Sequence, residues 1–268
     1  MSQRPPHAVL LRAPANFDPK AVCAVLAGRG RLPAESWLPA VRRCWGIVTE
    51  PSTAEEAEAL AAALTSAGHP AVAVPVALLE DPPAEIVVTK AELSGDGLDI
   101  LAGRAGVESQ RLGWTRLKVL SAGAVSQTNR KTVSEGPSIS EKSMRMGAML
   151  VTGLPLMGGK AKTRHVAEER RLPFIEMVFA APARRIRIHA AEFDYTVLGP
   201  KMSYSAELNF RELVSELAAR ASGALRGKGA RAILAKAPSG EMTYESFDDV
   251  LREERWLLAL DALGAAQP

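Results

Sequence analysis

Cysteine is almost absent from this chain. Two thiols, Cys23 and Cys44, are too few for a disulfide scaffold or a thiolate metal cage, and their scarcity suits a reducing compartment. Aromatics are few as well, at 5%. Charge of neither sign prevails: a net +3 over 268 residues gives no chain-wide field for nucleic acid, so a binding face would have to come from local clustering. Long apolar runs are also missing. The longest, Met146 to Met157, is broken by Gly153 and Pro155 and falls short of the roughly 20 apolar residues of a spanning helix. The opening MSQRPPHAVLLRAP has neither the apolar core nor the cleavage site of a secretory signal. These absences predict a soluble, cytoplasmic protein. Hydrophobic residues, at 47%, are enough for real cores, and the length suits two domains of ~100–200 residues each.

Residues 1–79 read as a small α/β module. Ala8 to Leu11 is a compact apolar run, expected as a buried strand. Asp18 followed by Pro19 starts a helix, with the carboxylate capping free N–H groups and proline at the first helical position; Val22, Val25 and Leu26 share its face, and Cys23 is read as core. Trp45 to Val48 is a second strand. A capping box follows, Ser52 with Glu55 or Thr53 with Glu56 in the next register, and then Ala57, Leu60, Ala61 and Leu64 at helical spacing. Ala71 to Val74 is a third strand. The order β-α-β-α-β implies a small open sandwich of ferredoxin-like layout, similar to small regulatory or protein-binding domains of bacterial signalling proteins. RNA readers share that layering, but they stack bases on strand aromatics, and here the strands carry Val, Leu, Ala and Ile with Trp45 alone. Nucleic acid is not an expected partner.

Residues 80–225 read as a β-rich module. Ile86 to Leu101 alternates like a hairpin about Ser94-Gly95-Asp96-Gly97. A strand from Leu112 is expected to place Thr115, Leu117 and Val119 on one face and Trp114, Arg116 and Lys118 on the other. Phe174–Phe179 and Arg184–Ala190 follow; in the latter, Ile186, Ile188 and Ala190 alternate with Arg185, Arg187 and His189. A helix capped by Asn209 and Glu212 closes the module on Phe210, Leu213, Val214, Leu217, Ala218 and Ala221.

The hairpins, the Trp114-x-x-Leu117-x-x-Leu120 strand and the closing helix resemble the bacterial pleckstrin-homology-like and GRAM-like group over about residues 85–222. The resemblance implies a half-open β-barrel plugged by a helix, in an α+β protein. It also implies binding of phospholipid headgroups, peptides or proteins more than chemistry. Phosphoinositide-binding members carry bases in the first hairpin loop, where this chain has Asp96.

Residues 127–171 interrupt that module, too long for an ordinary connection. The insertion carries nine Lys/Arg against four Glu and four of the eight methionines. Ser138 and Glu141 cap a predicted helix over 139–152. That helix would show Met146, Met149 and Leu150 beside Lys142 and Arg145, an adaptable, basic contact surface. Its run LPLMGGKAKT lacks the first Gly and the final Ser or Thr of a phosphate loop. Residues 226–268 read as a Gly/Lys-rich linker and a helical tail from Tyr244, with Tyr244, Phe247 and Leu251 on one face and Asp248, Asp249, Glu253 and Glu254 opposite.

Four scattered histidines fit no metal-ligand spacing, and no catalytic, cofactor or metal residues are assigned. The candidate binding surface is a basic stripe, Arg116, Lys118, Arg185, Arg187 and His189, together with Lys142, Arg145, Met146, Met149 and Leu150 of the insertion. The leading expectation is a non-enzymatic regulatory or scaffolding protein that binds a protein partner or itself through the insertion and tail. The alternative is peripheral attachment to anionic membrane at its inner face. A third reading is an enzyme whose acid/base pair draws on His189, Glu192 and Asp194.

Overall fold

The computed structural model describes residues 6–12, 18–29, 32–104, 107–135 and 162–264. The chain is α+β, and Met1–Val125 with Leu172–Pro268 pack as one unit while Ser126–Arg171 form another. In chain order the elements are β1 (His7–Leu11), α1 (Pro19–Arg29), α2 (Ala34–Arg42), β2 (Ile47–Ser52), α3 (Ala54–Ser66), β3 (Ala71–Pro75), β4 (Glu85–Leu93), β5 (Gly97–Gly103), β6 (Gln110–Gly113), β7 (Leu117–Glu135), β8 (Lys162–Phe179) and β9 (Arg184–His189). Then come α4 (Ala206–Arg220), β10 (Leu225–Arg226), α5 (Lys228–Leu234), β11 (Thr243–Tyr244) and α6 (Phe247–Ala262).

The first three strands form an antiparallel sheet in the order β2-β1-β3. The apolar run of β1 is buried on both faces. Val9 and Leu11 pack with Val22, Leu26 and Leu64 under α1 to α3, whereas Ala8 and Leu10 pack with Trp256, Leu257 and Leu260 of α6. The Asp18 carboxylate accepts from Lys20 N–H at 2.9 Å as the first cap requires. Of the two registers open at the start of α3, the chain uses Thr53 with Glu56, which exchange both capping bonds. The module has one helix more than the predicted order. α2 holds Pro39 in its interior, a residue that argues against a helix in sequence.

The second sheet has the order β10-β7-β8-β9-β4-β5-β6, with β11 paired to β7. That order is linear, and among the described residues no closed barrel forms. Trp114, Leu117 and Leu120 enter one core with Phe210, Leu213 and Leu217 of α4. The predicted alternation fails at two places. A 3-10 turn over Trp114–Arg116 precedes β7, and β4 changes register between Val88 and Ala91, so Val88 and Ala91 both reach the core. The closing helix starts earlier than predicted, capped by Ser205, whose hydroxyl accepts from Leu208 N–H. Asn209 turns back to the preceding loop instead.

The tail packs inward. α6 begins after Ser246, which shares a capping box with Asp249, and Tyr244 belongs to β11 instead. Trp256, Leu257 and Leu260 join Ala8, Leu10 and Val74 of the first sheet to Val119 and Val178 of the second. α6 is therefore a layer between two sheets, and of the four acids placed on its wet face Asp248 is exposed whereas Asp249, Glu253 and Glu254 are buried. The predicted linker at 226–229 holds the end of β10 and the start of α5. Its glycines are required by close packing: a Cβ on Gly229 would lie 2.0 Å from the carbonyl oxygen of Ala122.

Of the predicted insertion, β7 carries on to Glu135 and β8 begins at Lys162; the helix predicted over 139–152 lies outside the described residues. Among the described residues no helix is long and apolar enough to cross a membrane.

Candidate functional site

The basic stripe does not reach the surface. Arg185 and Arg187 are only 8% and 5% exposed, because β9 is covered by α4 on one face and by α6 on the other. An outward-facing charge on an alternating strand needs a solvated face, and β9 has none. Both guanidinium groups donate from Nε to Glu176 of the neighbouring β8, Arg187 at 2.9 Å. Arg187 also pairs with Glu85, and its guanidinium carbon lies 4.0 Å from the Phe247 ring centre. Glu254 of α6 stands 3.7 Å from Arg185, and neither of its carboxylate oxygens has a hydrogen-bond partner. Burial, reinforced by the Glu176 charge, pushes the Glu254 carboxyl well above the usual range. This ionic layer joins β8, β9 and α6.

The other stripe residues are dispersed. Arg116 is exposed in the 3-10 turn before β7. Lys118 pairs with Asp261 at 2.9 Å. His189 is half-buried, with its ring edge-on to Phe247, and burial and the neighbouring Arg187 lower its pKa. The acids near it in sequence are engaged elsewhere: Glu192 holds Arg104 through two bonds, and Asp194 caps the following turn at Thr196 N–H and pairs with Lys90 at 3.2 Å. Lys142, Arg145, Met146, Met149 and Leu150 lie outside the described residues.

Two surface features were not foreseen. The first is the loop leading into α4. Tyr204 is fully exposed, Leu208 is 59% exposed and Met202 49%. The backbone that displays them is pinned. Asn209 Oδ1 accepts from Ser203 N–H at 2.7 Å, and its amide donates back to the Ser203 carbonyl at 2.9 Å. Ser205 N–H donates to the Ser203 hydroxyl. Just upstream, Lys201 bridges Glu212 and Glu216 of α4.

The second is a cleft between α2 and the segment from α5 to α6. It comprises two cavities, of about 610 and 320 Å³, that share Arg42, Trp45 and Lys228 in their linings. Trp45 has a left-handed backbone, φ +47°, uncommon for a bulky residue. Its indole donates to Asp249 at 3.0 Å and stacks on Tyr244 with ring centres 5.2 Å apart. Beneath it the Tyr244 hydroxyl donates to Glu253 at 2.7 Å and accepts from Gly229 N–H at 3.0 Å, while Lys228 N–H donates to the other Glu253 oxygen at 2.6 Å. Desolvation raises the pKa of both Tyr244 and Glu253. The signal for this site in the sequence was the Trp45-Gly46 pair, where glycine follows a bulky residue at a helix-to-strand junction.

Comparison with known proteins gives no match to a family model, a curated protein or a solved structure.

Proposed function

We propose that this protein is a non-enzymatic regulatory or scaffolding protein that docks a protein partner on the Met202–Leu208 segment, the loop before α4 and its first turn. The observation that carries the reading is a fully exposed Tyr204, flanked by exposed Met202 and Leu208, on a backbone held by the paired Asn209–Ser203 bonds. Exposed apolar side chains normally cost solubility and recur where a surface is used. Tyrosine is among the residues that anchor interfaces, with most of the binding energy in a few such side chains. Pinning the loop beforehand lowers the ordering cost of association.

The loop offers protruding side chains, which suits a concave apolar socket on the partner. A second copy fits less well, because the larger cavity described above is ringed by Glu35, Arg42, Arg43, Lys228, Glu245 and Asp249. The tail is not part of this docking surface, since α6 is committed to the interior.

The finer fold reading belongs to the same proposal. A likeness to the pleckstrin-homology-like group is supported by Trp114, Leu117 and Leu120 sharing one core with α4, and a partner-binding role is what that likeness implies. A cytoplasmic setting is supported by two unbridged thiols, Cys23 and Cys44.

The test is affinity capture from the native host with the full chain, comparing the unaltered protein with Tyr204→Ser. A stoichiometric partner retained by the first and lost from the second is expected. An identical set of captured proteins for both would sink the proposal, and a self-associating chain would show itself as a concentration-dependent mass in sedimentation.

A further inference from the structure

We propose that the cleft between α2 and α5 is a binding site for a phosphate-bearing ligand, held by the side chains of Arg42, Lys228 and Arg231. All three line the smaller cavity, together with Trp45, Gly46 and Glu253, and two of them also line the larger one.

The charges in the cleft are unequally committed. Arg43 is paired with Glu245 at 2.6 Å. Asp249 accepts from the Trp45 indole and from Ser246. Glu253 is filled by Lys228 N–H and the Tyr244 hydroxyl. The Lys228 ammonium lies 5.7 Å from the Trp45 ring centre, and Arg231 donates to the carbonyl of Arg226. No ion pair engages Arg42, Lys228 or Arg231 with a carboxylate among the described residues, and the remaining acid of the lining, Glu35, is an exposed residue of α2. Three cations thus converge on the smaller cavity, whose one lining acid is the buried Glu253, felt by Lys228 and Arg231. That excess of positive charge suits a multiply charged oxyanion, because charge-assisted hydrogen bonds from guanidinium to phosphoryl oxygen are short and strong.

The frame around them is fixed. The left-handed Trp45 and Gly46 turn is clamped, with no room for a side chain at Gly46: a Cβ there would come within 2.3 Å of the Trp256 ring. Strained backbone of this kind concentrates at ligand sites, where the surrounding structure over-determines it. Here the surround is the Trp45–Tyr244 stack and the Trp45–Asp249 bond. Arg42 ends α2 just before this turn, so the clamp also sets where Arg42 stands.

A phosphoryl group reaches such a site on a soluble metabolite or on a lipid headgroup, and the experiment separates the two. Calorimetric titration of the full chain with inorganic pyrophosphate forms one arm. Sedimentation with phosphatidylglycerol vesicles, against phosphatidylcholine vesicles, forms the other. Binding in at least one arm is expected, weakening as salt is added and falling about tenfold or more in Arg42→Ala and in Lys228→Ala. Arg116→Ala, an exposed arginine elsewhere, should leave it unchanged. Pyrophosphate binding alone assigns a soluble ligand, and vesicle binding with the same variant dependence assigns a lipid headgroup. Absence of binding in both arms at low salt overturns the proposal, as does binding that Arg42→Ala and Lys228→Ala leave intact. Circular dichroism on each variant guards against loss of fold, and Arg42→Lys, which keeps the charge, should retain part of the affinity.

Discussion

The indole N–H of Trp256 donates to the main-chain carbonyl of Leu11 at 2.7 Å, across 245 residues of sequence. One bond thereby ties the last helix to the first strand, inside the apolar layer where α6 separates the two sheets. Removing the ring should be among the most damaging single changes in the protein. Trp256→Ala is expected to cost about 3–5 kcal/mol, and Trp256→Phe, which keeps most of the volume and loses the bond, about 1–3 kcal/mol. Urea unfolding of the three proteins checks the order. Equal stability of all three would mean that α6 does not join the layers.

Glu176 holds two guanidinium groups from a fully buried position on β8. Breaking a buried pair strands the remaining charge, at about 3–5 kcal/mol. Glu176→Ala should lose that much or more, since it uncovers both Arg185 and Arg187. Had these arginines been solvated, the same substitution would change stability by less than about 1 kcal/mol, so chemical denaturation discriminates the two arrangements.

Glu254 gives the ionic layer a pH dependence with a definite sign. Its carboxyl is raised by burial and by Glu176, with Arg185 opposing and Glu253 adding to the rise. The fold therefore binds the Glu254 proton more tightly than the unfolded chain does. Its contribution is fully present below the ordinary carboxylate range and is lost as pH rises through the folded value. Glu254→Gln carries no titrating proton, so the stability of the variant relative to the unaltered protein should climb as pH rises above the ordinary carboxylate range. A difference that stays flat, or that falls, over that rise contradicts the assignment.

Gly229 sits where β7 and α5 approach most closely. Gly229→Ala places a methyl 2.0 Å from the Ala122 carbonyl oxygen, and backbone must move to admit it. Overpacking of this kind costs about 1–3 kcal/mol. By contrast, Gly240, with nothing near its would-be Cβ, should accept alanine with little change in the melting temperature.

These residues also mark what was legible in the sequence. The uninterrupted run Ala8 to Leu11 announced a buried strand, and the two overlapping capping boxes, Ser52 with Glu55 and Thr53 with Glu56, announced the start of α3 to within one residue, because both signals are local. The fate of Arg185 and Arg187 depended on a helix some sixty residues downstream. Their alternation with isoleucine looks the same whether the second face meets water or α6. The clue was Glu176, a lone acid inside the otherwise apolar run Phe174–Phe179, together with the two acids preceding Trp256. Glycines 227 and 229 read as a flexible linker because close packing and flexibility favour the same residue. The Tyr204 loop was hidden for the opposite reason: sequence does not say which apolar residue fails to find a core.

The central claim is that Tyr204 anchors a protein partner, and titration of that partner against the purified chain tests it most directly. Truncating a side chain that anchors an interface costs at least about 2 kcal/mol, roughly a thirtyfold rise in Kd. Tyr204→Ala is predicted to show that loss, Leu208→Ala a smaller one, and both variants should unfold at the urea concentration of the unaltered protein, since neither side chain is buried. A Kd unchanged by Tyr204→Ala would contradict the account, because the exposed ring would then have no role in binding.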